Sequence, residues 1–345
     1  MLRNALSGFN LREFNPNIRR FFLFGIPLSS GMALFALLYN LYLLRLGHRE
    51  DFIGQISGLL PLASGIFAIP TAILSDRIGR KPFLFATSLV MGASQLGMCL
   101  TTQPALLLTL SFLGGTAGAF VFVNFIPFLA ENATPERRGQ GIAIWMAIQG
   151  FTRMAVSLGG GALPGLMGYL TGLSTNLPEP FRYTLLLGVG FSFLSLLPLF
   201  GIQAHRPTSE EDPSVPPAQT PPTPWRHLTT FTSISAFRGL AMGITLPFFP
   251  VFFQEMHGAS TATIGFLFFL SQALGLPATV AAPALSRRFG PTRLVISLRL
   301  FDALSLAALG YLLHFPLVAT LFLISTALDA LTTPAEMAFA TNTLS

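Results

Sequence analysis

Ten long apolar runs follow one another along this chain, and no other feature limits its fold so severely. They occupy roughly 21–45, 52–75, 83–101, 105–131, 140–170, 181–202, 228–254, 262–284, 292–313 and 316–341. About 20 mostly apolar residues cross the hydrocarbon of a bilayer as a helix, because a helix satisfies every backbone polar group within itself. One such run is compatible with a buried core helix of a soluble protein; ten in succession are not. Charged residues make up only 10% of the 345 residues, far below the roughly 25% of soluble domains. The sequence therefore predicts an all-α, multi-pass membrane protein.

The basic residues set its orientation. With the N-terminus in the cytoplasm, 14 of the 20 Lys and Arg fall on the inner side: four in the N-terminal arm, then Arg77, Arg80, Lys81, Arg137, Arg138, Arg206, Arg226, Arg287, Arg288 and Arg293. Only Arg45, Arg49 and Arg182 fall outside, and Arg153, Arg238 and Arg299 lie within spans. Inner loops carry the excess of cations, so the N-terminus is expected to be cytoplasmic. The net charge of +6 is then accounted for by loops and gives no reason to expect nucleic acid. The polar, Arg-containing first 20 residues lack a cleavable signal pattern.

The single cysteine, Cys99, excludes an internal disulfide framework and a Cys-rich metal site. The five histidines, His48, His205, His227, His257 and His314, fall near span ends or between spans, without an H-E-x-x-H pattern, and there is no P-loop. These absences argue against an intramembrane enzyme and against ATP as the energy source. No metal and no cofactor is expected.

Residues 203–227 read QAHRPTSEEDPSVPPAQTPPTPWRH, with seven prolines and a short acidic run. Such a stretch cannot build a core and is expected to form an extended or disordered linker. It separates an N-terminal six-span half, 1–202, from a C-terminal half, 228–345, with four spans. An offset of 211 residues brings Gly47, Ile53 and Gly54 onto Gly258, Ile264 and Gly265. The same offset brings Leu74, Ser75, Arg77 and Gly79 onto Leu285, Ser286, Arg288 and Gly290. A shared offset at equivalent places in the helix order points to duplication. By this register the counterparts of spans 5 and 6 are missing, so the chain is expected to be partial, with about ten of twelve helices present.

Between spans 2 and 3 lies AILSDRIGRKPF, residues 72–83, which holds the only lysine. Gly79 suits a tight turn, Pro82 suits the start of the next helix, and the cations suit the end of a helix facing anionic headgroups. Topology explains the cations but not Asp76. The stretch SDRIGRK at this place in the helix order resembles the loop signature of the major facilitator superfamily, roughly G-x-L-A-D-R-x-G-R-R/K. Asp76, Arg77, Gly79, Arg80 and Lys81 match, while Ala72 replaces the leading glycine. The resemblance implies two six-helix halves related by a pseudo-two-fold axis and a cytoplasmic latch. In that latch Asp76 joins a charged network with an acid from helix 4, which Glu131 resembles. The second-half copy, SRRFGPTR, lacks the aspartate.

In span 5, SLGGGALPGLMG (157–168) is similar to a loose form of the glycine-proline signature associated with exporters of that family. Gly159, Gly160, Gly161, Pro164 and Gly165 would permit close helix packing, which is also the plainer explanation of the stretch. The arginine that many drug exporters carry early in helix 4 has no counterpart in LSFLGGTAGAF.

Ionic residues within spans cost roughly 2.5–3.5 kcal/mol each at mid-membrane on insertion scales and so are candidates for function. Trp145, Gln149 and Arg153 share a helical stripe that either lines a polar cavity or stabilises a helix contact. Arg299 and Asp302, three apart, read as a structural ion pair. Arg238 precedes GLAMGITLPFFPVFF, where its own span is interrupted by Gly and Pro. Asp329, with Thr332, Thr333 and Glu336 on or near its face, is the first candidate proton carrier.

The resemblance to bacterial drug and solute permeases implies a secondary transporter in the bacterial inner membrane, working by alternating access. The expected activity is proton-coupled efflux of a small apolar or amphipathic compound by a monomer. Solute uptake, or a truncated chain that does not transport, are the alternatives.

Overall fold

A computed structural model describes residues 14–134, 137–203 and 225–344, and its regular structure there is helical. Helix α1 spans Pro16–Arg45, α2 Glu50–Ile78, α3 Arg80–Leu100, α4 Pro104–Asn132 and α5 Arg138–Thr171. Helix α6, Glu179–Leu194, breaks at Ser195 and resumes as the short α7, Leu196–Phe200. Helix α8, Trp225–Thr245, passes through a 3₁₀ turn at Leu246–Phe248 into α9, Phe249–His257. Helices α10 (Thr261–Phe289), α11 (Pro291–Leu309) and α12 (Phe315–Leu344) complete the described chain.

Every apolar run lies on these helices, with corrections to their extents. The sixth and seventh runs are interrupted where proline removes a backbone donor and crowds the preceding turn. Pro198 follows the break at Ser195, while Pro247 lies within the 3₁₀ turn and Pro250 just beyond it, at the start of α9. The run expected to reach 313 stops at Leu309, where tight backbone bonds from Tyr311 to Ala308 and from Leu312 to Leu309 end the helix.

Among the described residues eight helical stretches are long and apolar enough to cross a membrane, against the ten expected; 50–78 and 291–309 fall outside that set. Charge sets α11 apart, since Arg293, Arg299 and Asp302 fall within its 19 residues. Both helices still pack against qualifying neighbours, α2 on α4 and α11 on α12.

The chain divides into two compact units, Met1–Ser209 and Glu210–Ser345. The division falls inside 203–227; of that proposed linker, 204–224 lie outside the described residues. In the first unit α1 is the central element, packed on α5, α6 and α7. Its Phe21 stacks on Phe128 at 4.4 Å and on Trp145 at 4.5 Å, and Trp145 also stacks on Phe125 at 5.0 Å. Small residues set the closest approach of α1 and α6. A Cβ at Gly31 would lie 2.4 Å from Ser192 Oγ and 2.6 Å from the Gly188 carbonyl. In the second unit α10 packs on α12 and α12 on α11, with Phe322 meeting Phe249 and Phe253 edge-on nearby while those two rings stack on each other. Large apolar side chains also point outward, Val280 being 81% exposed and Tyr169 84%, as expected where the surrounding solvent is lipid.

The internal repeat is visible in the backbone. Helices α2 and α10 are each 29 residues long and begin 211 residues apart. Gly79 and Gly290, which close them, have φ/ψ of 93°/144° and 81°/139°, a region that excludes a Cβ. Each glycine donates its N–H to the backbone carbonyl of the serine four residues earlier, Ser75 or Ser286, at 3.0 Å. The two units therefore share one frame through this segment.

Candidate functional site

The second unit gathers ionic side chains in mid-helix. Helix α12 supplies Ser325, Asp329, Thr333 and Glu336, a stripe at i, i+4, i+8 and i+11 that keeps one face over three turns. Helix α8 brings Arg238, and α11 brings Arg299 and Asp302. Arg299 donates from Nε to Glu336 Oε1 at 2.9 Å and from Nη1 to Asp329 Oδ1 at 2.7 Å. Arg238 donates from Nη1 to Glu336 Oε2 at 2.7 Å and from Nη2 to Asp329 Oδ1 at 3.1 Å. The same Nη2 donates to Thr333 Oγ1 at 2.7 Å. Two guanidiniums and two carboxylates thus alternate in a closed ring, with each acid bound to both bases.

Asp302 is attached to this ring more loosely. Its Oδ2 lies 3.8 Å from Arg299 Nη1, the longest ionic separation in the group, and its Oδ1 accepts from Ser325 Oγ. Its side chain is 14% exposed, against 24–29% for the four ring members. Arg299 and Asp302 do lie within ion-pair distance, as their spacing suggested, but Arg299 makes its shorter bonds to Asp329 and Glu336 on α12. The arrangement also places Asp329 between two guanidiniums, so protonating Asp329 would disrupt two ion pairs, whereas protonating Asp302 would weaken one distant contact. Three carboxyls face two guanidiniums, and the surplus carboxyl is Asp302.

The first unit carries its charge at a helix junction. Gly79 ends α2 and precedes α3, whose first residue is Arg80. Arg80 Nη2 meets Asp76 Oδ1 at 3.1 Å, Nε bonds Glu131 Oε1, and Nη1 donates to Asn124 Oδ1 at 3.3 Å. The buried Asn124 also accepts from Ser75 Oγ and donates to the Phe120 carbonyl at 2.7 Å. Arg80 is the hub and only 18% exposed, while Asp76 at 64% and Glu131 at 44% sit on the rim. Lys81 Nζ turns away and donates to the Phe200 carbonyl at 3.2 Å, and Arg77 is exposed.

The span-5 residues separate. Trp145 is 5% exposed within the aromatic core, and Gln149 Oε1 accepts from Ser29 Oγ on α1. Arg153 is exposed, donates from Nε to the Gln149 carbonyl at 3.3 Å, and has no acidic partner among the described residues. Gly160, Gly161 and Pro164 are buried, and a Cβ at Gly160 would meet Leu34 Cδ2 at 2.7 Å. Gly159 and Gly165 are exposed, with open space at their Cβ positions, so they do not mediate this helix contact. No group of three or more metal-ligating side chains is present among the described residues.

Sequence reasoning missed Ser325 and Asn124, and did not assign Arg238 and Arg299 jointly to α12. The α12 stripe was available as a spacing of four and then three or four residues from Asp329. Asn124 gave no signal until Ser75 and Arg80 converged on it.

The family model described as Major Facilitator Superfamily matches residues 21–345. A nucleoside transporter, NupG, superposes with a TM-score of 0.70 at 14% identity, covering 95% of this chain and 85% of that one. A bacterial homologue of the human lysosomal transporter Spinster, inward-facing and unoccupied, gives 0.68 at 17% identity, covering 95% and 77%. A D-xylose–proton symporter gives 0.63 at 15% identity, covering 93% and 81%. No curated protein matches the chain.

Proposed function

This chain belongs to the major facilitator superfamily, and from that premise we propose that it couples the movement of a small molecule to a proton carried by the ion cluster of its second unit. It is a multi-pass integral membrane protein and a secondary transporter rather than an enzyme. The proposal rests on one observation: three carboxyls, Asp302, Asp329 and Glu336, face two guanidiniums in mid-helix. An unbalanced ion at that depth is costly, and one proton restores neutrality. Asp302 is the carboxyl that takes it with least disruption to the ring.

Proton uptake at Asp302 weakens its hold on Arg299 Nη1, which shares that nitrogen between Asp302 and Asp329. The proton thereby changes the environment of a residue whose partners lie on α12. In an alternating-access cycle, substrate and proton favour different arrangements of such helices. Asp76, Arg80 and Glu131 act in this reading as the latch at the α2–α3 turn, and Arg77 and Lys81 as its basic flank. The N-terminus lies in the cytoplasm, the membrane is the bacterial inner membrane, and the working form is a monomer.

Export of an apolar or amphipathic compound is the direction proposed, supported by the exporter-like glycine-proline stretch of α5. Arg153 favours a second reading, uptake of a solute with a polar or anionic group, because it is an exposed mid-helix cation without an acidic partner among the described residues. Proteoliposomes with an imposed pH gradient, tested against a panel containing both compound types, decide between them. Gradient-driven movement that is lost in Asp302→Asn supports proton coupling. Movement that ignores the gradient, or survives the substitution, overturns it.

A further inference from the structure

We propose that the groove where α3 meets α7 binds one anionic phospholipid, its phosphate held by Lys81 and Arg20. The groove is lined by Lys81, Pro82, Phe85, Leu199 and Phe200. Its walls are apolar apart from the lysine at its edge, and Phe85 and Phe200 meet edge to face at 5.1 Å. Phe200 is 64% exposed, so its ring presents an open apolar surface.

Two cations converge on the end of α7. Lys81 Nζ donates to the Phe200 carbonyl at 3.2 Å, and Arg20 Nη1 donates to the next carbonyl, that of Gly201. Arg20 comes from the first turns of α1 and lies so close that a Cβ at Gly201 would sit 2.8 Å from its Nε. Neither cation has an acidic partner among the described residues. Asn17, one turn before Arg20, fixes this corner. Its Nδ2 donates to Asn132 Oδ1 at 3.0 Å and to the Gln203 carbonyl at 3.1 Å, while its Oδ1 accepts from Gln203 N–H at 2.9 Å. The cations are therefore presented by a tied junction of α1, α4 and the segment after α7.

The chemistry of the groove selects its occupant. Two donors with net positive charge at a helix end suit a phosphate, and the apolar slot beginning one helical turn along α3 at Phe85 suits an acyl chain. Basic pockets between membrane helices bind anionic headgroups in this way. A free phosphate would use the cations alone; a phosphatidylcholine would use the slot but carry a compensating charge.

The test uses the full chain in detergent, with bound lipid quantified by native mass spectrometry after incubation with phosphatidylglycerol, phosphatidylcholine or glycerol phosphate. Phosphatidylglycerol is expected to be retained over phosphatidylcholine. Lys81→Gln and Arg20→Gln should each lower retention about fivefold, from about 1 kcal/mol per basic residue, and Lys81→Arg should preserve it. A Phe85→Ala variant should weaken phosphatidylglycerol. Equal retention of the two lipids overturns the proposal. So does equal competition by glycerol phosphate, or retention unchanged in both charge-removing variants.

Discussion

The two units share turn geometry, packing order and nearly equal helix lengths through their repeated segment, yet place their ions at different positions along their helices. In the first unit the charge lies at the α2–α3 junction and the end of α4, around Arg80. In the second it lies in mid-helix, around Arg238 and Arg299. At the 211-residue offset, Asp76, Asn124 and Glu131 correspond to Arg287, Ala335 and Asn342. In the other direction, Arg238, Arg299, Asp302, Asp329 and Glu336 correspond to Pro27, Ser88, Met91, Gly118 and Phe125. Neither ion cluster has a charged counterpart of the same arrangement. The common frame is a matter of apolar packing and turn chemistry, and the specialised work is confined to polar substitutions within it.

The largest effect should come from breaking the ring. Asp329→Asn leaves two partly buried guanidiniums short of a partner, a loss of about 3 kcal/mol by the range for breaking buried pairs. Detergent thermal-unfolding measurements should show clear destabilisation, whereas Asp302→Asn, which removes only the 3.8 Å contact, should leave the fold intact. Destabilisation of the same size in both variants would erase the distinction between ring and surplus carboxyl. Arg299→Gln should match Asp329→Asn in stability, and combining it with Glu336→Gln should cost less than the sum of the two, because both act on one ring.

The matched serines sharpen the comparison. Ser75 Oγ bonds Asn124, but Ser286 Oγ is buried without a hydrogen-bond partner among the described residues, and the position matching Asn124 in sequence is Ala335. Ser75→Ala should cost about 1 kcal/mol, the usual net value of a hydrogen bond. Ser286→Ala should be neutral or slightly stabilising in the same melting assay. The smallest effect is expected at the exposed rim, where Asp76→Asn should change stability by less than about 1 kcal/mol. Its test is a double-mutant cycle with Arg80→Gln, and a coupling near zero would assign Asp76 no part in holding the turn.

Legibility in the sequence followed the physics of each feature. The apolar runs were readable because a bilayer demands long uninterrupted helices, and Gly79 and Gly290 because their backbone conformation excludes other residues. The break at Ser195 was less visible, since proline marks where a helix is weakened but not how the chain resumes beyond it. The loop motif disclosed Asp76 and Glu131 through family resemblance, yet the hub proved to be Arg80, a role fixed by the approach of α4. For the ion cluster, Arg238, Arg299, Asp302 and Asp329 were visible as costly residues within spans, and Glu336 only as a neighbour on the face of Asp329. The cluster's pairing was not, because Arg238 reaches Glu336 across 98 positions and only the packed helices bring them together.

The central claim is that the second unit's cluster holds a surplus carboxyl that carries a proton. Infrared difference spectroscopy on the purified protein, titrated across neutral pH, reads this directly from the carbonyl stretch of a protonated carboxylic acid. A proton carried by Asp302 should give a titrating band in the wild type that disappears in Asp302→Asn and persists in Glu131→Gln. A wild type without such a band, or a band unchanged by Asp302→Asn, would contradict it.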